Sequence, residues 1–333
     1  MAVIGVGDRA TAGLPRLVVL RALGLGDLLT AVPALRALRD RYPRHERVLA
    51  APAFLAPLVG LLDGTIDAVV DVDFRKAVDS LPPSLSAADV AVNLHGRGPE
   101  SHLALRALRA PRLLAFHHAE DAPAGPRWDG DEHERVRWCR MLAAFGVPAD
   151  PDDLLVRPPA EPIPDEYADT TVIHPGAAAP ARRWPIARWA AVARSELRNG
   201  RTVIITGGRD ETDLAMAAAA EAGIGERWVV AGRTDLTELT ALVAAAGRVA
   251  CGDTGVAHLA TAVATPSVVL FGPTSPAQWG PPATPHHVAL WAGRTGDPHG
   301  DRPDDGLLAI DVADVTAALD ALPAGRRWAR TSR

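Results

Sequence analysis

The chain has 333 residues, of which 48% are hydrophobic and 23% charged, with a formal net charge of −5 at pH 7. These values are typical of a soluble globular protein that is large enough for two domains. The acidic balance disfavours nucleic acid as a partner, and no apolar run reaches the ~18 residues that span a bilayer.

The first half of the chain alternates β-branched runs with helical patterns. Strands are predicted at 16–22, 47–53, 66–72 and 88–94. Helices are predicted near 34–41, 53–62 and 100–109, and Pro33 is expected to begin a helix or to kink one. Strand and helix in regular succession indicate a parallel sheet with helices on both faces.

A stretch rich in proline and acid, 146–170, then interrupts this rhythm and has the character of an interdomain linker. The alternation resumes after it, with predicted strands at 170–176, 201–208, 226–232, 247–253 and 266–272. The predicted helices lie near 186–199, 210–222, 235–246, 255–264 and 311–322. We therefore expect two doubly wound α/β domains, 1–160 and 161–333, which face each other across a ligand-binding cleft.

The first strand-to-helix turn, GLGDLL at 24–29, places Asp27 directly behind two glycines, Gly24 and Gly26. The dinucleotide fingerprint G-x-G-x-x-G would need a third glycine, which this turn lacks. A carboxylate at this place would also repel a pyrophosphate. Two interpretations stay open: Asp27 caps the helix, or it is a catalytic base with one oxygen facing the cleft.

Loops after the other first-half strands offer candidate contacts to a substrate. NLHGRGPESH at 93–102 holds His95 and Arg97, although a stray basic residue before a helix is equally plausible. The segment 116–140 is expected to form loops on the same side, with His117, His118 and Trp128 as candidates.

The loop HPGAAAPARRWP at 174–185 follows the first strand of the second half. The strand ends at His174, Gly176 opens a loop of small residues, and Arg182 and Arg183 follow. Paired guanidinium groups at a strand end are suited to binding a diphosphate, because they stay charged and match phosphate oxygens. The alternative is a solvated basic loop.

Two further turns, CGDTGVAHLA at 251–260 and FGPTSPAQWG at 271–280, lie on the same predicted edge. The predicted ligand-binding residues there are Asp253, Thr254, Gly255, His258, Gly272 and Thr274. Glycines allow a sharp turn that leaves the amides of the next helix open to an anion, and a carboxylate can accept bonds from ribose hydroxyls. The alternative is that Asp253 or Thr254 only caps the helix, with His258 a polar residue near the core.

Three stretches in order resemble glycosyltransferase family 9, the heptosyltransferases, over roughly residues 16–280. They are RALGLGDLLTAVPALRAL, IHPGAAAPARRWPIARWAAVA and CGDTGVAHLATAVATPSVVLFGPTSPAQWGP. The resemblance implies a GT-B architecture, an acceptor-binding N-terminal domain and a nucleotide-sugar-binding C-terminal domain. It also implies heptose transfer from an ADP-activated donor with inversion and without a metal or other cofactor.

The resemblance assigns roles to Asp27, Arg182, Asp253, Thr254, Gly255 and His258, and the other candidates are expected contacts from their positions in the loops. Asp27 falls at the catalytic base, with Gly26, His95 and Arg97 as acceptor contacts. Arg182 stands where the family usually has lysine on the donor phosphate. The remaining donor contacts are His174, Gly176, Arg183, Asp253, Thr254, Gly255, His258, Gly272 and Thr274.

The expected partners are a nucleotide-sugar donor and a glycan, glycolipid or small-molecule acceptor. Family members that build lipopolysaccharide usually have basic patches for an anionic lipid, and the net charge of −5 gives no sign of one. Peripheral membrane association stays open. Cys139 and Cys251 cannot form a disulfide framework and the N-terminus lacks a signal-peptide pattern, so a cytoplasmic location is expected.

Three other classes remain open at this point. A sugar-nucleotide epimerase would isomerise the donor without an acceptor. A nicotinamide-dependent oxidoreductase would bind its cofactor tightly, but the third glycine is missing. A non-catalytic sugar-nucleotide sensor would keep the 251–260 turn and tolerate loss of Asp27.

Overall fold

The computed structural model describes residues 3–7, 9–72, 81–122, 124–160 and 163–324. The chain divides into two compact units, Met1–Leu154 and Leu155–Arg333. The boundary between these units lies within the predicted linker 146–170. In the described part of that linker the only helical turn is a 3₁₀ turn, Asp165–Tyr167.

Unit 1 is a sheet with helices connecting its parallel strands. The strands are β1 Val3–Gly5, β2 Arg16–Leu20, β3 Glu46–Ala51, β4 Ala68–Asp71, β5 Val90–Asn93 and β6 Arg112–Leu114. The helices are α1 Leu25–Thr30, α2 Val32–Arg41, α3 Ala56–Gly60, α4 Glu100–Arg106 and α5 Glu134–Ala143. The strand order is β1-β4-β3-β2-β5-β6, parallel except that β1 runs antiparallel to β4.

Unit 2 is built on a wholly parallel sheet in the order β11-β10-β9-β7-β8. Its strands are β7 Thr171–His174, β8 Val203–Ile205, β9 Arg248–Gly252, β10 Ser267–Phe271 and β11 His287–Trp291. Its helices are α6 Ile186–Arg198, α7 Thr212–Ala222, α8 Leu236–Ala245, α9 Gly255–Ala262, α10 Pro276–Trp279, α11 Asp305–Leu308 and α12 Val312–Ala321.

Each sheet is buried by apolar side chains from its strands and covering helices. In unit 1, Val18 and Val48 of the central strands pack with Leu105 of α4. In unit 2, Ile173 and Val268 pack with Trp189 of α6. Strands buried on both faces read as continuous apolar runs, which explains why the sequence pattern located them. The predicted α/β fold class is confirmed.

Several predicted elements are wrong in detail. The stretch 226–232 is no strand: it forms a 3₁₀ turn, Glu226–Trp228, and one bridge between Val229 and Ile205. The segment 116–140, expected as loops, contains most of α5, from its first residue Glu134 to Arg140. Three edge strands, β1, β6 and β11, were not predicted, because edge strands are short or partly exposed and lack the continuous apolar pattern.

Pro33 marks a true helix start. Helix α1 ends at Thr30, and α2 begins at Val32 with Pro33 in its first turn. Proline suits that place because its missing N–H would have no partner there.

Candidate functional site

Both sets of candidate residues lie at a point where the strand order reverses. In unit 1, the chain builds outward from β2 through β3 and β4, and then returns to place β5 on the other side of β2. In unit 2, β8 and β9 flank β7 in the same way. Connections leave such neighbouring strands on opposite faces, so a crevice opens beyond their carboxyl ends. Asp27 follows β2, and Arg182 and Asp253 follow β7 and β9.

Asp27 occupies the third position of α1, whereas Gly24 is the N-cap residue. Its Oδ2 accepts a hydrogen bond from the Gly24 amide at 3.1 Å. The interpretation of Asp27 as the N-cap is therefore wrong in position, although its carboxylate does satisfy an amide at the start of the helix. The side chain stays 28% exposed, so part of the carboxylate remains open to solvent. Capping and proton transfer are compatible here.

Beneath Asp27 lies Arg21, whose side chain is completely buried at the end of β2. Its Nε donates to the Asp27 carbonyl at 2.9 Å, and its Nη2 lies 3.6 Å from Asp27 Oδ1. The same Nη2 donates to Glu134 Oε1 of α5 at 3.0 Å. One buried cation thus faces two carboxylates.

The pKa values of the two carboxyl groups, Asp27 and Glu134, are shifted in opposite directions. Burial raises the pKa of Asp27, Arg21 opposes this rise, and Glu134 adds to it, so that the pKa lies above its usual value. For Glu134, burial would raise the pKa, but Arg21 and Arg137 outweigh it and the pKa lies below its usual value. Environments that separate two such groups are characteristic of acid–base sites. Asp27 is the carboxylate with the stronger affinity for a proton.

The other predicted residues of unit 1 follow β2 and β5. Gly26 is half-buried in α1 and Arg97 is exposed. His95 follows β5 next to Leu94, whose carbonyl accepts a hydrogen bond from Arg21. Burial, together with Arg21, lowers the pKa of His95 to about 4, so the ring is neutral at pH 7. His95 is therefore close enough to Arg21 to be affected by its charge, and Arg21 in turn contacts Asp27.

In unit 2, Arg182 and Asp253 meet although 71 residues separate them. Arg182 Nη1 lies 3.4 Å from the Asp253 carbonyl and 3.9 Å from its Oδ2. The Nε of Arg182 is buried and has no hydrogen-bond partner. A buried donor without a partner costs free energy, and a bound anion would satisfy it. Gly252 permits this approach, since a Cβ there would lie 3.1 Å from the Arg182 carbonyl oxygen.

His174 and Gly176 meet a carboxylate that the sequence analysis did not single out, Glu211. His174 Nδ1 is 3.0 Å from Thr206 Oγ1, and its Nε2 is 3.5 Å from Glu211 Oε2. A Cβ at position 176 would meet the end of the Glu211 side chain, so glycine leaves room for this carboxylate beside His174. Burial lowers the pKa of His174 despite Glu211. His174 therefore acts as a neutral support for this loop.

The turns after β9 and β10 surround the same edge of the sheet. Thr254 is the N-cap residue of α9 but makes no side-chain cap hydrogen bond, while Gly255 begins the helix. His258 stacks edge-on against Trp279 of α10 at 6.0 Å between ring centroids. Gly272 has a packing role, because a Cβ there would lie 2.8 Å from Leu307 Cβ.

Thr274 and Arg183 complete the predicted set. Thr274 is half-buried and directly precedes Ser275, whose Oγ accepts a hydrogen bond from the Ala277 amide at the start of α10. Arg183 Nε donates to the Ala177 carbonyl at 2.8 Å, which holds the small-residue loop in place.

Three residues missed by the sequence analysis are central to these sites: Arg21, Glu134 and Glu211. A charge at the end of the apolar run LPRLVVLR could have indicated Arg21. Glu211 follows a predicted strand end, as the other candidates do. No local signal indicates Glu134, because it reaches Arg21 across 113 residues of sequence.

The residues that the structure describes contain no group of three or more His, Cys, Asp or Glu side chains that could hold a metal ion. Within the same ranges, no helix has the length and apolarity to cross a membrane.

Comparisons with known proteins agree with one another. The family model for glycosyltransferase family 9 (heptosyltransferase) matches residues 134–305. Lipopolysaccharide heptosyltransferase 3 of Escherichia coli is 35% identical over 158 residues, which are 45% of this chain and 46% of that protein. The chain thus matches less than half the length of this relative.

Solved structures show the same fold over most of the chain. ADP-heptose lipopolysaccharide heptosyltransferase II of E. coli has a TM-score of 0.71 at 21% identity, covering 92% of this chain and 98% of its own. E. coli heptosyltransferase WaaC with ADP has a TM-score of 0.68 at 17% identity, and the match covers 92% of this chain and 99% of that one. At these identities the likeness concerns the fold, which is that of GT-B heptosyltransferases.

Proposed function

Because the chain belongs to glycosyltransferase family 9, we propose that it transfers a heptose from ADP-heptose to an acceptor hydroxyl, with inversion and without a metal ion. The names of the similar proteins support the sugar and the nucleotide: they are heptosyltransferases, and one structure contains ADP. Unit 2, which contains the predicted domain 161–333, binds the donor. Unit 1, with the predicted domain 1–160, binds the acceptor and supplies the base.

The observation behind this proposal is the environment of Asp27. Its carboxylate is partly open to solvent, is held by the Gly24 amide, and has a pKa above the usual value because of burial and Glu134. An aspartate in water is a weak base, and a raised pKa improves proton transfer from an alcohol. These are the properties that a general base for glycosyl transfer requires.

In the proposed reaction, Asp27 accepts the proton of the acceptor hydroxyl while that oxygen forms a bond to the anomeric carbon. The bond from this carbon to the diphosphate breaks, and its electron pair leaves with the diphosphate oxygen. Attack from the opposite face inverts the configuration, and positive charge develops on the sugar ring, as in other glycosyl transfers. His95, Gly26 and Arg97 contact the acceptor.

The leaving diphosphate is stabilised by charge on unit 2. The proposed phosphate donors are the unpartnered Nε of Arg182, the amide of the N-cap residue Thr254 and the first amide of α9, at Gly255. A guanidinium supplies the positive charge that a metal ion would otherwise supply. The remaining donor contacts are His174, Gly176, Arg183, Asp253, His258, Gly272 and Thr274.

The acceptor is proposed to be a glycan, a glycolipid or a small molecule, with peripheral membrane association for a lipid-linked one. The two free cysteines, Cys139 and Cys251, are both buried and fit a reducing compartment such as the cytoplasm.

Replacing Asp27 with asparagine tests the proposal. Asparagine can still accept the hydrogen bond from the Gly24 amide, so the melting temperature and the affinity for ADP should be nearly unchanged. Turnover of ADP-heptose with a competent acceptor should fall by about 100-fold or more, since general-base catalysis contributes roughly 10²–10⁴. Turnover would be followed by release of ADP.

Asp27→Ala is the matched comparison, because it loses both the cap and the base. We expect it to lower the melting temperature and turnover together. Near-normal turnover of Asp27→Asn would rule out the base, and ADP-heptose isomerisation without acceptor would favour an epimerase.

A further inference from the structure

Arg21 is bound on all sides within unit 1. Its guanidinium donates to the backbone carbonyls of Asp27 and Leu94, to Thr30 Oγ1 at 3.2 Å and to Glu134 Oε1 at 3.0 Å. A cation with no exposed surface needs such partners, since an unpaired buried charge is strongly destabilising. Arg21 therefore has one defined position beneath the start of α1.

Glu134 is fixed from the other side by α5. Its Oε1 also accepts a hydrogen bond from Trp138 Nε1 at 2.8 Å, and its Oε2 accepts one from Arg137. The Trp138 ring lies under Arg21, 4.9 Å from the guanidinium carbon. Glu134 is thus a buried carboxylate with a hydrogen bond on each oxygen, and it is oriented towards Arg21.

The two carboxylates do not share Arg21 equally. Glu134 Oε1 is 3.0 Å from Nη2, within hydrogen-bond range, whereas Asp27 Oδ1 is 3.6 Å from the same nitrogen. A charge-assisted hydrogen bond is shorter than 3.6 Å, so the contact with Asp27 is electrostatic only. Nη2 also donates to Thr30 Oγ1, so of the two carboxylates only the buried one, Glu134, accepts a hydrogen bond from this nitrogen.

We propose that Glu134 is a positioning residue for Asp27 and acts through Arg21. By accepting the Nη2 hydrogen bond, Glu134 keeps the guanidinium from pairing directly with Asp27, and its own negative charge offsets that of Arg21. Asp27 is then held in place by Arg21 without losing its strength as a base. This inference rests on the proposed role of Asp27.

The charged groups around Asp27 are consistent with this role. Arg21 faces it from the end of β2, Glu134 and Arg137 belong to α5, and His95 lies beyond β5. His95, with a pKa of about 4, is uncharged at neutral pH. Glu134 raises the pKa of Asp27 whereas Arg21 lowers it. Removing the charge of Glu134 should therefore lower the pKa of Asp27.

Glu134→Gln is the test, with the full-length protein throughout. Glutamine keeps an oxygen that can accept from Arg21 and Trp138 while removing the charge. The pKa of Asp27 would be followed by carbon-13 NMR of labelled aspartate carboxyls, with the Asp27 signal identified by its loss in Asp27→Asn. We expect the pKa to fall relative to the wild type, and Glu134→Asp, which keeps the charge on a shorter side chain, to lie in between.

Kinetics provides the second measurement. In Glu134→Gln the acid limb of kcat/KM should move to lower pH, because this limb reports the essential base of the free enzyme. We expect kcat at the plateau to fall roughly 10-fold, less than on removing the base itself. The KM for ADP-heptose should stay within about 2-fold, since we propose that unit 1 does not bind the donor.

Asp67→Asn is the matched control. Asp67 and Arg47 form a buried pair in unit 1, with Arg47 Nη2 2.9 Å from Asp67 Oδ1, at the amino ends of β3 and β4. Removing this charge should lower the melting temperature, as we also expect for Glu134→Gln, but it should not move the pKa of Asp27 or the acid limb.

The outcomes distinguish a failure of the proposed function from a failure of the inference about Glu134. If Asp27→Asn keeps its turnover, the proposed function fails, whatever Glu134 does. If Asp27→Asn is inactive but neither Glu134 variant moves the Asp27 pKa or the acid limb, the inference fails and the proposed function stands. Should Glu134→Gln not fold, the Glu134→Asp comparison decides.

Discussion

At the scale of single residues, an unsatisfied donor is as informative as a formed bond. Arg182 Nη1 lies 3.9 Å from Asp253 Oδ2, which is too long for a strong ion pair, and its buried Nε has no acceptor. Arg188 of the same unit differs, because its Nη1 donates to two backbone carbonyls, those of Leu308 and Ile310, within 3 Å. Arg182 therefore has unused donors for an anion.

Arg182→Ala should weaken ADP binding without weakening adenosine binding. A hydrogen bond to a charged group contributes about 1.5–3 kcal/mol, which corresponds to roughly 10- to 100-fold in Kd. Titration calorimetry with ADP and with adenosine measures both affinities. Arg194→Ala, on the exposed side of α6, is the control and should change neither; equal losses for ADP and adenosine would exclude a diphosphate contact.

At the scale of secondary structure, helix starts are set by local chemistry. Helices α8 and α12 each begin with an aspartate whose side chain accepts from the third helical amide, while an acid at that third position bonds back. Asp27 is the acidic half of such an arrangement in α1, where glycine takes the N-cap place. This explains why a functional interpretation and a capping interpretation could not be separated by sequence.

Asp235→Ala should destabilise unit 2 by about 1 kcal/mol, the usual contribution of an N-cap side chain. The Asp235 carboxylate accepts from the Glu238 amide at 2.8 Å, and Glu238 returns the bond at 2.9 Å. Urea unfolding measures the change. The free energy of unfolding of Asp235→Asn should stay within roughly a few tenths of a kcal/mol of wild type, because asparagine caps about as well as aspartate. If Asp235→Asn lost as much stability as Asp235→Ala, the charge of Asp235 and not its cap hydrogen bond would be responsible.

At the scale of the whole molecule, buried histidines set the response to acid. Burial lowers the pKa of His45, His95, His102, His174 and His287, to about 4 for His95 and His287. The unfolded chain protonates its histidines near ~6.5. Below that pH the unfolded state binds more protons than the folded state, so the free energy of unfolding decreases as the pH is lowered.

We expect the urea midpoint to decline as pH is lowered from about 6.5 towards 4, with no comparable change between pH 7 and 8. Asp27 acts in the opposite sense, since its raised pKa favours the folded state at low pH. In His287→Asn, which can keep the hydrogen bond to Ser267, the decline should be shallower. An unchanged slope would mean that His287 is protonated in the folded protein.

From the sequence alone came the fold class, the positions of the central strands along the chain and the family. These depend on local information: continuous apolar runs for strands buried on both faces, helical periodicity between them, and glycine-rich turns that are each one short continuous stretch of the chain. The resemblance to glycosyltransferase family 9 is confirmed. Where the local pattern was weak, as in the edge strands and at 226–232, the prediction missed or misassigned elements.

Which residues act on one another follows from the folded structure and not from the local sequence. Glu134 meets Arg21 across 113 residues and Arg182 meets Asp253 across 71, and neither pairing leaves a periodic signal in the sequence. The pKa of Asp27 follows from such long-range contacts and from burial, not from the turn GLGDLL. A motif can identify a carboxylate at a strand end, but its strength as a base depends on the charges that folding brings next to it.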